Sequence, residues 1–229
     1  MKKAVLFGAS GFIGSSLLEE LLKSPDYDRV TVVVRKKLKT EHLKLKTLIG
    51  DLQSLPSIKD QIQGDDIFIA LGTTKKKIPQ QDEYYKVDHD YPVLAAKIAK
   101  ENGAKSIFLV TAAGANARSN FFYVRTKGEV ERDILALNYE HSHLFRPSML
   151  LGHREENRPM EKLFIHLWSA IDPIFVGPLS LYRGIDGKDV AKAMVRAAQQ
   201  SSEGVKIYHW KEMQAYPKIF LEKTPRVVG

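Results

Sequence analysis

Two residues four positions apart, Tyr123 and Lys127, form the pair in this sequence best suited to proton transfer. An α-helix turns once in about 3.6 residues, so this spacing places both side chains on one helix face. A free phenol has a pKa of about 10, and a neighbouring ammonium favours the phenolate and moves that pKa toward neutrality. We predict that Tyr123 exchanges a proton with a carbonyl or alcohol oxygen while Lys127 tunes its pKa.

Three glycines, Gly8, Gly11 and Gly14, lie where a short apolar run gives way to a helical pattern. In such a turn the first glycine permits the tight bend and the second lets a pyrophosphate approach the backbone. The third lets helix and strand pack closely. The free N–H groups at the helix N-terminus favour phosphate. The spacing, in the first strand-to-helix unit, predicts a dinucleotide site; the alternative is that these glycines only supply a turn.

A basic run, Arg35 to Lys37, follows the second predicted strand, and Arg35 lies 21 residues after Gly14. An acidic residue here would bind the ribose 2′-hydroxyl of NAD and repel a 2′-phosphate. A guanidinium instead pairs with a 2′-phosphate and stacks on adenine. The run therefore favours NADP(H) over NAD(H), and the alternative is a solvated charge cluster.

Short apolar runs alternate with helical patterns along most of the chain, and the strands and helices that they predict would position the candidate site residues. We expect strands within residues 4–7, 30–34, 48–49, 67–71, 107–110, 143–145 and 205–208. We expect helices over residues 12–23, 82–102, 121–138, 160–171 and 188–200. This alternation predicts an α/β fold, a doubly wound parallel-sheet Rossmann-type domain. We expect one NAD(P)-binding domain over residues 1–229, with a dinucleotide-binding core over 1–150 and a small C-terminal substrate or cap region over 151–229.

The composition is that of a globular protein, with 44% apolar and 27% charged residues among 229. It excludes a disordered chain, and the lack of cysteine excludes disulfides, thiol catalysis and cysteine-based zinc sites. The seven histidines show no metal-binding spacing, so we predict no metal site.

The net charge of +8 is spread along the chain, which fits an anionic cofactor better than nucleic acid. No apolar run approaches the roughly 18 residues of a membrane span, so we expect no membrane partner. The apolar stretch after the first lysines is short and broken by glycines, unlike a secretory signal. We expect a cytoplasmic protein.

Several segments together resemble the short-chain dehydrogenase/reductase superfamily, and more narrowly its atypical NAD(P)-binding branch. They are the GASGFIG turn, Arg35, Asp51-Leu52, the LGTT segment that begins at Leu71, the Tyr123/Lys127 pair and FRPS from Phe145. The resemblance extends to about residue 200.

The resemblance implies a place for each part of the cofactor. The residues are Gly8, Ser10, Gly11, Phe12, Ile13 and Gly14 for the pyrophosphate; Arg35 and Lys36 for the 2′-phosphate; Asp51 and Leu52 for the adenine; Ala70, Leu71, Gly72 and Thr73 for the ribose; Tyr123 and Lys127 for the nicotinamide ribose; and Pro147 and Met149 for the nicotinamide.

The sequence departs from the superfamily at the end of the fifth strand, where a Ser or Thr usually bonds the substrate carbonyl. Only Thr111 offers a hydroxyl there, and Ala112 follows it. If the position of Ala112 is the one required, a charge-stabilising contact is lost. Our leading interpretation is an NADP(H)-dependent oxidoreductase of a carbonyl or alcohol, with Tyr123, Lys127 and Thr111 as its catalytic residues.

The alternative is a non-catalytic NADP(H)-sensing regulator of the same fold with a protein partner. A sugar-nucleotide epimerase would need a larger substrate domain than the residues after 150 can form.

Overall fold

The computed structural model describes residues 1–74, 77–151, 183–200 and 203–219. The helix expected over 160–171 lies outside the described residues.

Nine strands lie in the described residues, most of them within one sheet. They are β1 (Lys2–Phe7), β2 (Tyr27–Val34), β3 (Leu45–Ile49), β4 (Asp66–Ile69), β5 (Ser106–Val110), β6 (His141–Phe145), β7 (Leu150–Leu151), β8 (Ile185–Asp186) and β9 (Gly204–Tyr208). Seven of them form a sheet in the order β3-β2-β1-β4-β5-β6-β9, and every pairing is parallel. β7 and β8 form a separate parallel pair. The predicted doubly wound fold is confirmed.

Helices cover both faces of the sheet. They are α1 (Phe12–Lys23), α2 (Gln81–Tyr85), α3 (Tyr91–Glu101), α4 (Phe122–Leu135), α5 (Gly187–Gln199) and α6 (Trp210–Ile219). A 3-10 helix spans Leu55–Gln61, and a π-helical segment, Lys86–Asp90, joins α2 to α3. Among the described residues, no helix has the length and apolar character to cross a membrane.

The core has two parts, one on each face of the sheet. In β1, Ala4 and Leu6 pack with α1 and α5, whereas Val5 and Phe7 pack with α3 and α4. A strand buried on both faces reads as a continuous apolar run, which is why β1 was predictable. The apolar spacing of α1 likewise predicted its bounds correctly.

Three local features differ from the predictions. The long helix expected over 82–102 is interrupted by the π-helical segment, which adds one residue to a turn and so rotates α3 relative to α2. β4 ends at Ile69, so Ala70 and Leu71 lie in the following loop. α4 spans Phe122–Leu135, so it ends three residues before the expected residue 138.

The residues after 183 contribute to the main layers of the fold. α5 packs in the same core as α1, and β9 pairs with β6 at the sheet edge. These elements therefore share the sheet and its hydrophobic core with the residues before 150, and the predicted bounds of the cofactor-binding core and the cap stay a prediction.

Candidate functional site

The order of strands reverses between β1 and β4, so the loops after these strands diverge and leave a crevice at the carboxyl edge of the sheet. In open α/β sheets ligands bind at such a crevice. The glycine turn follows β1, the segment Ala70–Thr73 follows β4, and α4 follows β5. The elements that carry most of the predicted site thus converge on one edge.

The glycine turn between β1 and α1 has no room for side chains. Gly8 has a φ of 91°, a conformation that favours glycine. A Cβ atom on Gly8 would lie 2.5 Å from the Ala70 carbonyl oxygen, and one on Gly14 would overlap the Gly8 carbonyl oxygen. The Gly11 N–H donates a hydrogen bond of 2.8 Å to that same oxygen. Backbone contacts therefore close the turn at the positions the sequence indicated.

The N-terminus of α1 fits an anionic group. No side chain caps it, and its first turn holds no acidic residue. Ser10 and Gly11, which precede the helix, are exposed, and the first backbone N–H groups of a helix have no acceptor within it. The Ile13 side chain belongs to the core, which leaves only its backbone to contact a phosphate. The Phe12 ring lies against Gly187, where an added Cβ would be 2.8 Å from the ring.

The basic residues after β2 are available to a ligand. Arg35 and Lys36 are exposed, and in the described part of the chain neither forms an ion pair. The pKa of Tyr91 is raised to about 12: burial is the largest cause, Asp51 adds to the increase and Arg35 opposes it. Arg35 and Asp51 therefore each lie within electrostatic range of Tyr91, on the side of the site predicted for adenosine.

The Asp51 carboxylate is already hydrogen-bonded within its own loop. It accepts bonds from the backbone N–H groups of Ser54 at 2.9 Å and Gln53 at 3.1 Å, and from the Ser54 hydroxyl at 2.8 Å. These bonds, led by the Ser54 N–H, hold its pKa below the usual range. Asp51 thus closes the turn before the 3-10 helix, and the Leu52 side chain packs against the core beneath α3.

Lys127 forms a buried ion pair that the sequence analysis did not anticipate. Its Nζ lies 2.6 Å from Oδ1 of Asp88, a residue of the π-helical segment. The other carboxylate oxygen of Asp88 accepts the Thr73 N–H at 2.8 Å. A Cβ on Gly72 would lie 3.6 Å from Asp88 Oδ1 and 3.7 Å from Lys127 Nζ. The predicted lysine is therefore joined to the loop after β4.

Tyr123 lies one turn before Lys127 on α4 and remains 44% exposed. Its partial burial raises its pKa, Lys127 lowers it and Asp88 raises it again. The effect of Lys127 has the predicted sign, but the other two outweigh it. The expected shift of the Tyr123 pKa toward neutrality is therefore wrong, because burial is the largest effect and Asp88 also opposes the effect of Lys127.

Thr111 lies in a different hydrogen-bonded group. Its hydroxyl donates to Glu131 Oε1 at 2.6 Å, and Arg146 Nε donates to the same oxygen at 2.9 Å. A second nitrogen of Arg146 bonds the other oxygen of Glu131 at 2.5 Å. The Thr111 hydroxyl thus donates its proton to a carboxylate. In this geometry it cannot also donate to a substrate carbonyl, as was predicted. Ala112, the next residue, has no side-chain donor.

The segment after β6 runs along the same edge of the sheet. The carbonyl oxygen of Pro147 accepts the Ala113 N–H at 2.8 Å, and that of Met149 accepts the Ile185 N–H at 2.9 Å. These bonds fix the two residues predicted to flank the nicotinamide, and they use backbone acceptors rather than side chains.

His89 is held between two carboxylates. Its Nδ1 lies 2.9 Å from Asp90 and its Nε2 lies 2.9 Å from Asp133 on α4. Within the described ranges no three acidic or histidine side chains converge as metal ligands.

Sequence reasoning missed Asp88, Glu131 and Tyr84. The direction of the Asp88 side chain depends on the π-helical turn, and apolar periodicity does not reveal such a turn. Glu131 carried a usable signal, because it continues the spacing of Tyr123 and Lys127 by one more turn. Tyr84 is 3% exposed, and its hydroxyl lies 3.4 Å from the Thr73 carbonyl oxygen.

Curated relatives match most of the chain. "Protein FMP52, mitochondrial" of Candida albicans is 34% identical over 207 residues, covering 87% of this chain and 89% of the relative. "Protein HTATIP2" of Rattus norvegicus is 36% identical over 166 residues, covering 71% and 68%. The predicted cytoplasmic location is contradicted by the names of the fungal relatives, several of which are called mitochondrial.

Solved structures share the fold. "MoeE5 in complex with UDP-glucuronic acid and NAD" superposes with a TM-score of 0.68 at 20% identity, over 90% of this chain and 75% of that chain. The Bordetella bronchiseptica enzyme WbmH in complex with NAD+ gives a TM-score of 0.68 at 19% identity, over 92% and 76%. At this identity the likeness concerns the fold.

The glycine turn, the uncapped helix N-terminus and the converging loops fit a dinucleotide. Residues 8–150 match the family model described as NAD(P)H-binding. Together with the relatives, this confirms the resemblance to atypical short-chain dehydrogenases/reductases. The chain is a member of the NAD(P)H-binding family.

Proposed function

We propose that this protein is an NADP(H)-dependent oxidoreductase that interconverts a carbonyl compound and its alcohol. Tyr123 exchanges the proton with the substrate oxygen, and Lys127 binds the nicotinamide ribose. When bound, the nicotinamide supplies or accepts the hydride at its C4 atom.

The observation that carries this proposal is the placement of Tyr123 and Lys127 beside the loop after β4. A Cβ atom added to Gly72 would lie 3.7 Å from Lys127 Nζ. The ammonium group therefore lies beside the backbone that is predicted to run along the ribose. Tyr123, one turn earlier on α4, keeps 44% of its surface exposed to a substrate. A proton donor and a ribose ligand therefore adjoin the same crevice.

Preference for the phosphorylated cofactor rests on Arg35 and Lys36. Both are exposed after β2 and, among the described residues, have no ion-pair partner that would compete with a phosphate. No acidic side chain occupies the position next to them that would repel a 2′-phosphate.

The alternative is an NADP(H)-sensing protein without turnover, with a protein partner. The Thr111–Glu131 hydrogen bond of 2.6 Å and the side chain of Ala112 favour it, because they leave the substrate oxygen without a hydroxyl donor from β5. Loss of such a donor costs on the order of 10²-fold or more in rate, so binding would persist where turnover is weak.

Turnover of NADPH against a panel of aldehydes and ketones separates these functions. We expect the wild type to oxidise NADPH with at least one carbonyl class, and Tyr123→Phe to lower kcat by about 10²-fold or more while it still binds NADPH. Tyr139→Phe is the matched control, since the Tyr139 hydroxyl bonds the Ala96 carbonyl oxygen inside the core. NADPH binding with no turnover, or equal turnover in Tyr123→Phe, would contradict the catalytic proposal.

A further inference from the structure

The Asp88–Lys127 ion pair is almost completely removed from water. The Asp88 side chain is 1% exposed and that of Lys127 is 7% exposed. Burying two charges is costly unless each is paired and further hydrogen-bonded. Asp88 meets this condition, because its second oxygen accepts the Thr73 N–H.

Asp88 therefore joins three elements of the site through one carboxylate. It belongs to the π-helical segment, Lys127 to α4, and Thr73 to the loop after β4. Gly72 lies against the pair without a side chain, so the backbone of the loop can approach both charges. A shift of Asp88 would alter the ammonium and the loop together.

We propose that Asp88 is a positioning residue that occupies the charge of Lys127, keeps Tyr123 in its phenol form and so makes the site a proton donor for carbonyl reduction. This inference rests on the proposed function and specifies its direction at neutral pH.

The groups that act on the Tyr123 hydroxyl come from three elements. Lys127 shares α4 with it, Asp88 comes from the π-helical segment, and Tyr84 comes from α2. Burial raises the pKa of Tyr123, and the opposing contributions of Lys127 and Asp88 leave it above the usual range. The phenol form consequently prevails at neutral pH.

A balanced proton transfer can be written for both directions of the reaction. In reduction the Tyr123 O–H bond would break and its proton would go to the carbonyl oxygen, while the reduced nicotinamide of the proposed function would supply a hydride to the carbonyl carbon. The products are the alcohol, the oxidised nicotinamide and the Tyr123 phenolate, which recovers a proton from water. Alcohol oxidation requires the phenolate at the start, so below the pKa of Tyr123 its rate rises about tenfold for each pH unit.

The titration of Tyr123 in the full chain tests the role of Asp88. Tyrosines isotope-labelled at Cζ are followed by NMR against pH, and Tyr123→Phe identifies the Tyr123 signal. We expect Tyr123 to titrate above about 10 in the wild type and about 1 pH unit or more lower in Asp88→Asn, where the Lys127 charge is no longer neutralised. Asp82→Asn, an exposed aspartate on α2, is the matched control and should leave the midpoint unchanged. An unchanged or higher midpoint in Asp88→Asn would overturn the proposal.

A measurement on the wild type covers the case in which Asp88→Asn does not fold. Hydrogen exchange should be about tenfold or more slower at the Thr73 amide than in an unstructured chain, because Asp88 accepts that N–H. Unprotected exchange at Thr73 would overturn the network. Neither measurement uses cofactor or substrate, so failure of the proposed hydride transfer would be detected separately.

Discussion

At the scale of single residues, the glycine turn shows why the cofactor end of the site was predictable. Gly8 and Gly14 each meet a backbone carbonyl oxygen that leaves no space for a methyl group, so the geometry of the turn requires glycine at both positions. Asp88 illustrates the opposite case. An aspartate in a helical stretch is compatible with a solvated surface, and only the packing of α4 against the π-helical segment shows that it is buried beside Lys127.

Gly14→Ala should disrupt the turn. Its Cβ would overlap the Gly8 carbonyl oxygen, so we expect the free energy of unfolding to fall by about 1–3 kcal/mol and NADPH affinity to fall about tenfold or more. Gly11→Ala is the control for stability, because its Cβ would lie 3.1 Å from the same oxygen and requires a smaller adjustment. Urea unfolding and NADPH fluorescence measure the two effects, and a Gly14→Ala protein that matches Gly11→Ala in stability would refute the steric account.

At the scale of elements, α4 aligns three functional side chains on one face. Tyr123, Lys127 and Glu131 recur at four-residue intervals. Lys127 is paired with Asp88, and Glu131 is paired with Arg146 at the end of β6. The first ion pair thus holds α4 to the π-helical segment, and the second holds it to the residue that follows β6. The sequence predicted the helix and its first two functional residues, but the π-helical turn that brings Asp88 to them depends on tertiary packing.

Glu131→Gln tests how far this second pair fixes α4. It leaves the partly buried Arg146 guanidinium without a counter-charge, and we expect the free energy of unfolding to fall by about 3 kcal/mol in urea at neutral pH. Glu140→Gln provides the comparison, since the Lys105–Glu140 pair is exposed and 3.6 Å long, and should cost less than about 1 kcal/mol. Similar losses in the two variants would mean that Glu131 does not anchor α4.

At the scale of the whole molecule, the alternation of strands and helices was enough to predict a doubly wound sheet. Central strands such as β1 are buried on both faces and therefore read as apolar runs. The predicted boundary of a cap region at residue 150 does not coincide with a boundary of the hydrophobic core, because Val190 and Met194 of α5 belong to the same core as α1. The predicted cellular location was wrong, because apolar periodicity reports how the chain packs and does not indicate the compartment in which the protein lies.

The central claim is that the carboxyl edge of this sheet binds NADP(H) through the glycine turn and Arg35. The most direct test is a calorimetric titration of NADPH and NADH into the wild type, Arg35→Ala and Arg29→Ala, an exposed arginine near the opposite end of the same strand. We predict that the wild type and Arg29→Ala bind NADPH about tenfold or more tightly than NADH, and that Arg35→Ala binds the two equally. Equal affinities in the wild type, or no binding of either dinucleotide, would contradict it.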